Sequence, residues 1–516
     1  MKPDKILLFL VWVLGLLLFL TTVFPEKGVV LGERIRFKFP TFKSLFERNK
    51  AEYADISNVL KVDTLLSLAK EDTLDNSGIP GADNMAKVND YHYDTLLTDE
   101  LRAKLHRIQY PKNNRMVLYP FFRELYLLKE QKKRIRIFHY GDSQLEGDRI
   151  TSFLRVNLQA RFGGSGPGMI AINDLTPTSS INREHSSNWK RFTILGRKDT
   201  SATGNVFGPM LSFSRFSSIM KDSVSGNDNI SEAWVKLTPS GMAYPSTREF
   251  TNVNIYYANN DKAVSIQIMD KDGNEVVNDS MFPEKYLNKL SWQFDDTPDF
   301  LYFKFSGTES PDIYCMTLDG EGGVAVDNIP MRGSSGVDFT KTNMKILSQF
   351  FDIMNVKLLI MEFGVNVAPN VLSDYTFYEN WFYRNLSALK KLDPELCIIV
   401  IGISDMSRKR ADGDGYETFP NIEKIRDAQK NAAFRAGCAF WDTYAAMGGE
   451  NSMPSWVFAD PPLASKDFTH FNAAGAKIIA KMFYNALIAE YDDYLRYNRL
   501  EDFKQTIQKS KVDTPR

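Results

Sequence analysis

Residues 135–143 read Ile-Arg-Ile-Phe-His-Tyr-Gly-Asp-Ser, an apolar, β-branched and aromatic run that stops at a turn tripeptide. Such a run describes a strand buried on both faces, and Gly141-Asp142-Ser143 marks its end. Before it, residues 117–133 (VLYPFFRELYLLKEQKK) have helical apolar spacing; after it, residues 145–161 form a second predicted helix. Further on, apolar runs of strand length recur at 323–329, 356–364, 397–404 and 438–444. They alternate with helical patterns near 338–352, 377–391, 422–436 and 473–493. Near-continuous apolar strands separated by helices predict an α/β domain, with a parallel sheet covered on both faces.

Between the first strand–helix unit and the rest, the pattern changes. Residues 252–260 (NVNIYYANN), 263–269 (AVSIQIM) and 300–307 (FLYFKFSG) alternate with period two, and Asp272-Gly273 is a hairpin turn signal. This predicts a β-sandwich, residues 175–322, inserted into the α/β domain and dividing it into parts at 116–174 and 323–500. Residues 26–115 are polar and weakly patterned and are expected to form a spacer, and 501–516 a tail. At the start of the chain, residues 6–24 contain no charge. As a helix they would span about 30 Å of hydrocarbon. Lys2 and Lys5 precede them, which by the positive-inside bias places the remainder of the chain across the cytoplasmic membrane, in the periplasm or exterior. A cleavable signal peptide starts in the same way. The length of the run and the lack of a small-x-small site at its exit favour a single-pass anchor at 1–25.

The composition sets limits on function. The chain has 516 residues, 43% hydrophobic and 25% charged, which is ordinary globular composition. With 63 Lys+Arg against 64 Asp+Glu there is no global positive field and no basic patch to recruit nucleic acid. The three cysteines, Cys315, Cys397 and Cys438, are widely spaced and suggest buried thiols rather than a disulfide framework or a thiolate metal site. No metal or cofactor is expected.

Only five histidines are present, so imidazole chemistry has a short list of candidates. His470 closes Asp467-Phe468-Thr469-His470, where a carboxylate three residues away can orient an imidazole and stabilise its protonated form. Ser143, at a strand's C-terminal end, faces the crevice where open α/β sheets bind ligands. Gly333 in Pro330-Met331-Arg332-Gly333-Ser334-Ser335-Gly336 and Asn366 in Gly364-Val365-Asn366 follow two other strands of the array and belong on the same edge. The Ser143 and Gly333 backbone N–H groups and the Asn366 amide can then converge on one oxygen as an oxyanion hole. His139 lies within the strand and reads as a packed residue. GGSGPG, residues 163–168, lacks the context of a phosphate loop and reads as a turn into the insert.

This order of Gly-Asp-Ser, Gly, Gly-x-Asn and Asp-x-x-His resembles the SGNH, or GDSL-type, hydrolase family. The resemblance implies a three-layer flavodoxin-like fold over about 135–495, with Ser143 as nucleophile, His470 as general base, Asp467 as its orienting acid, and Ser143, Gly333 and Asn366 as oxyanion donors. Gly364-Val365-Asn366-Val367 departs from the family in lacking the Asp that often follows the Asn. A β-module between the Ser and Gly blocks is similar to peptidoglycan O-acetyl-esterases and polysaccharide O-acetyltransferases. That likeness implies an O-acylated polysaccharide or peptidoglycan substrate and, for a transferase, a membrane acyl-donor protein as partner. Trp234, Tyr256, Tyr257, Trp292, Tyr302 and Tyr314 of the insert are candidates either for sugar stacking or for its core. The residues leave three functions open: ester hydrolase, acyltransferase and non-catalytic glycan binder.

Overall fold

The computed structural model describes residues 3–25, 29–30, 36–37, 39–40, 52–68, 98–196, 199, 202, 206–217 and 229–512. Five parallel strands build the central sheet: β1 (Arg134–Gly141), β2 (Gly323–Pro330), β3 (Val356–Glu362), β4 (Cys397–Ile401) and β5 (Ala439–Trp441). Their spatial order is β2-β1-β3-β4-β5, the flavodoxin-like order, with its switch point beside β1. Each strand is apolar on both sides because each face is covered. Ile135, Ile137, Leu358 and Ile360 point to one face and pack with helices α2 (Tyr119–Leu127), α3 (Thr151–Phe162) and α7 (Ala473–Val512). Phe138, Tyr140, Leu359 and Met361 point to the other and pack with α4 (Met344–Met354), α5 (Thr376–Lys390) and α6 (Ile422–Arg435). The fold is the expected three-layer α/β architecture. The strand register aligns the ends of the sheet: Gly141 lies opposite Pro330 on one side and Glu362 on the other, so β1, β2 and β3 end level with one another.

The insert consists of two antiparallel sheets. One runs in the order Glu275–Met281, Val264–Met269, Leu301–Gly307, Ser231–Pro239, Ile181–His185, and the other contains Asn252–Ala258 and Asp312–Asp319 at its centre. Val235, Phe303, Ile255 and Met316 share the core between them. The chain leaves the α/β domain at Gly163 and returns at Gly323, and there the Val324 N–H donates to the Gly163 carbonyl at 2.8 Å. The crossing demands glycine: a Cβ on Gly164 would lie 2.5 Å from the Val324 carbonyl oxygen, and one on Gly323 would lie 2.1 Å from the Gly163 carbonyl carbon. Pairing in the insert starts earlier than position 175, because Gly168–Ile170 already pairs with Asp312–Asp319. Of the six candidate aromatics, Tyr256, Tyr257, Trp292 and Tyr314 are buried, while Trp234 and Tyr302 stack on each other, half-buried.

Two expectations about the flanks need correction. The supposed spacer packs onto the α/β domain where it is described. Ile56, Leu101, Ile108 and Tyr110 enter its core, Gln109 pairs with Phe440 beside the sheet edge, and the Trp441 indole donates to the His106 carbonyl at 2.8 Å. Arg102 and Arg107 reach Asp492, Asp493 and Glu490 on α7. These few apolar and basic residues are too dispersed to form a periodic signal. The supposed tail continues as helix to Val512, since no Pro or Gly interrupts α7 after Gly475. At the other end, α1 (Pro3–Val23) has 21 residues and contains an 18-residue stretch of mean hydropathy 2.8, long and apolar enough to cross a membrane.

Candidate active site

Beyond the level ends of β1, β2 and β3, Ser143, Gly333 and Asn366 follow Gly141, Pro330 and Glu362 within a few residues. Ser143 opens a 3-10 turn, Ser143–Asp148, capped by the Asp142 carboxylate, which accepts the Gln144 N–H at 3.0 Å. The helix expected to follow directly is broken at Glu146 and Gly147 and begins only at Thr151. The Ser143 N–H therefore starts a tight turn, not a long helix, and among the described residues no backbone acceptor takes it or the Gly333 N–H. Gly364 turns the third loop at φ 136, where a Cβ would lie 2.7 Å from that of Ile403. Asn366 is exposed beyond it, and its amide donates to the Ser334 carbonyl at 3.0 Å, tying its loop to that of Gly333. One N–H of the Asn366 amide remains for a ligand.

The Asp-x-x-His loop folds around its own carboxylate. Asp467 Oδ1 accepts the N–H groups of Thr469 and His470, both at 3.0 Å, with Phe468 between them in the left-handed region at φ 56. Stacking holds Phe468 there, its ring centroid 3.5 Å from that of Tyr416. Asp467 Oδ2 is then 2.7 Å from His470 Nδ1, and His470 Nε2 is 2.7 Å from Ser143 Oγ. Burial pushes the Asp467 carboxyl up, but the bonds from His470 and Thr469 outweigh it and hold the group below the usual carboxylate range. With Nδ1–H given to Asp467, Nε2 is the free acceptor and the Ser143 hydroxyl is its donor. Ser143 and the Asp467–His470 pair, on two loops far apart in the chain, form one hydrogen-bond chain.

Beneath this surface lies polar structure that carried no sequence signal. His139 is fully buried, with Nε2 3.0 Å from Glu362 and Nδ1 2.9 Å from the Thr151 hydroxyl, which donates to Asn328 at 2.8 Å. It is a packed residue away from the site's mouth. Burial drives the Asp142 carboxyl up to about 7, with Glu362 adding to the rise and the Gln144, Val365 and Gly364 N–H groups opposing it. Gln144 is buried and touches both residues flanking His470: its Nε2 donates to the Thr469 carbonyl at 2.7 Å and its Oε1 accepts the Phe471 N–H at 3.3 Å. Arg149 donates to the Phe471 and Ser143 carbonyls, both at 3.0 Å.

A solved structure of a peptidoglycan O-acetylesterase superposes with a TM-score of 0.54 at 21% identity, over 72% of this chain and 96% of that one. The fold is that of the SGNH hydrolases. A family two carbohydrate esterase from Cellvibrio japonicus (8% identity, 60% of this chain, 99% of that one) and a GDSL-like lipase from Parabacteroides merdae (16%, 32% and 72%) both score 0.23, too low to carry weight. No family profile and no curated protein matches the chain. The SGNH fold accounts for why the Ser143, Gly333 and Asn366 loops share one edge; the chemistry of that edge depends on its own side chains.

Proposed function

We propose that the protein is a serine acyl-ester hydrolase that removes O-acetyl groups from cell-envelope carbohydrate. His470 Nε2 takes the Ser143 proton as Oγ attacks the acetyl carbonyl carbon, and Asp467 stabilises the resulting imidazolium. The Ser143 and Gly333 N–H groups and the Asn366 amide receive the oxyanion. Collapse expels the sugar oxygen, which takes the proton from His470. Water, deprotonated by the same imidazole, then attacks the acetyl-enzyme, releasing acetate and restoring Ser143. The observation carrying this reading is the Ser143–His470–Asp467 chain, with 2.7 Å at both links, beside two N–H groups with no backbone acceptor among the described residues. The likeness to a peptidoglycan O-acetylesterase supports the choice of an acetylated glycan. The apolar helix α1 supports an anchor in the cytoplasmic membrane with the remainder of the chain outside it.

The test is acetate release from O-acetylated peptidoglycan or polysaccharide by the intact protein and by Ser143→Ala. Release that disappears in the folded variant is the expected result; equal release by both overturns the proposal. Adding an unacetylated oligosaccharide to the same reaction reads out the transferase outcome: acetyl found on the added sugar means that a sugar hydroxyl, with acetyl supplied by a membrane acyl-donor protein in the cell, replaces water in the second half-reaction.

A further inference from the structure

We infer that Gln144 and Arg149 are positioning residues that set the distance between Ser143 and His470; the inference rests on the proposed function. The loop bearing His470 is internally rigid, since Asp467 binds the N–H groups of Thr469 and His470 and the imidazole itself. That rigidity fixes Asp467 against His470. It does nothing to fix either of them against Ser143, which belongs to a different loop 327 positions away in the chain.

The two loops are joined by side chains from the nucleophile turn. Gln144 reaches the residue before His470 and the residue after it, donating to the Thr469 carbonyl at 2.7 Å and accepting the Phe471 N–H at 3.3 Å. An amide of this length supplies both a donor and an acceptor: Glu lacks the donor, Met has no donor and only a weak acceptor, and Asn is one methylene short. The Gln144 backbone is itself fixed, its N–H bound to Asp142 at 3.0 Å. Arg149 closes the same gap from the opposite side of the turn. One guanidinium holds the Phe471 carbonyl and the Ser143 carbonyl, each at 3.0 Å, and its Nε is anchored on the Glu146 carbonyl at 2.9 Å. The residues around the base are thus tied to the residues around the nucleophile by three hydrogen bonds from two side chains, and a fourth holds Arg149 to Ser143; none of them touches a reacting atom.

Loss of the clamp leaves the Asp467–His470 pair intact and frees its distance to Ser143. A displacement on the order of 1 Å costs about 10²-fold in rate when it separates reacting groups. The experiment measures fluorophosphonate labelling and acetyl-ester turnover in the wild type, Gln144→Met and Arg149→Lys, each as the full chain. Expected are labelling of Ser143 to full stoichiometry in all three, a labelling rate and kcat lowered about 10²-fold in Gln144→Met and less in Arg149→Lys, an unchanged KM, and an unchanged acid limb in the pH–rate profile, because Asp467 still faces His470. Incomplete labelling at the wild-type rate would show that the variant only unfolds a fraction of the molecules and overturns the inference. So would a labelling rate equal to that of the wild type. A wild type that is never labelled overturns the proposed function and the clamp together, so the two failures are distinguishable.

Discussion

Removing the Arg155 guanidinium should unseat the turn that begins at Ser143 from below. Arg155 and Asp148 are both buried and form a two-point pair, with Nη1 to Oδ2 at 2.5 Å and Nη2 to Oδ1 at 3.1 Å, while Nε donates to the Val326 carbonyl at 2.7 Å. Asp148 closes the turn that Ser143 opens, and it also accepts the hydroxyl of Ser180 from the insert. Arg155→Met would leave a buried carboxylate with one hydroxyl donor. Breaking a buried pair from one side costs about 3–5 kcal/mol, a fifth or more of a typical total stability of about 5–15 kcal/mol. At an m value of about 2 kcal/mol/M, the urea midpoint of the α/β domain falls by about 2 M. Adding Asp148→Asn removes the orphaned charge. Asn tolerates the left-handed conformation that Asp148 adopts at φ 64, so the double variant exchanges a buried charge for unpaired neutral groups and should lose less than the single variant. Equilibrium urea unfolding followed by tryptophan fluorescence compares the three proteins. A double variant no more stable than Arg155→Met would refute this account, as would a loss below about 1 kcal/mol in the single variant.

Asp467→Asn should lower kcat by about 10⁴-fold with KM little changed, read from acetyl-ester turnover, because the imidazole loses the partner that sets its tautomer. Asn366→Ala removes one of the proposed oxyanion donors and should lower kcat by about 10²–10³-fold without affecting labelling stoichiometry at Ser143. Asp142→Asn should change the pH dependence of stability. Burial holds the Asp142 carboxyl at about 7 when folded against 3.8 when unfolded, so the folded chain keeps a proton that the unfolded chain releases. Stability therefore falls as pH rises from about 4 to about 7, by about 4 kcal/mol in total, and the Asn variant should lack that slope in urea midpoints measured across the range.

What could be read from the residues alone divides along a physical line. The strands of the central sheet are covered on both faces, so their apolar runs stand out against polar connections; in the insert, the sheet of Ser231–Pro239, Val264–Met269 and Leu301–Gly307 alternates because only one of its sides meets a core, whereas Asn252–Ala258 and Asp312–Asp319 are buried on both. Gly-Asp-Ser and Asp-x-x-His are local patterns whose spacing already implies a turn and a side-chain pair. Gln144, Arg149 and the His139–Glu362 pair have no such pattern. Their partners are mostly backbone groups or single side chains hundreds of residues distant, and one glutamine after a serine looks like any surface polar residue until the loops meet. The segment from Leu101 to Tyr110 is illegible for a related reason: it contributes only scattered apolar anchors to a core formed mainly by other elements. The 3-10 turn after Ser143 is hidden by helix-forming residues that the Asp142 cap and the left-handed Gly147 override.

The point of insertion explains how the fold carries a second domain without disturbing the loops at the Ser143 edge. The helix α3 returns the chain from that edge of the sheet to the opposite one, and the insert leaves and re-enters there, where Gly163 and Gly323 cross. Its roots are thus a full strand length from Ser143. Its body nevertheless flanks the edge strand β2: buried Arg136 binds Asp327 of β2 and Asp319 of the insert together, and the Met169 N–H donates to Asp327 at 2.6 Å. At the far end of this flank the Ser179 N–H donates to the Gly147 carbonyl at 3.3 Å and Ser180 reaches Asp148, both in the turn that Ser143 begins. An insert rooted at one edge and touching the other can form a wall beside Ser143 while leaving β1, β2 and β3 level, and it is that level register which brings Ser143, Gly333 and Asn366 to a common edge.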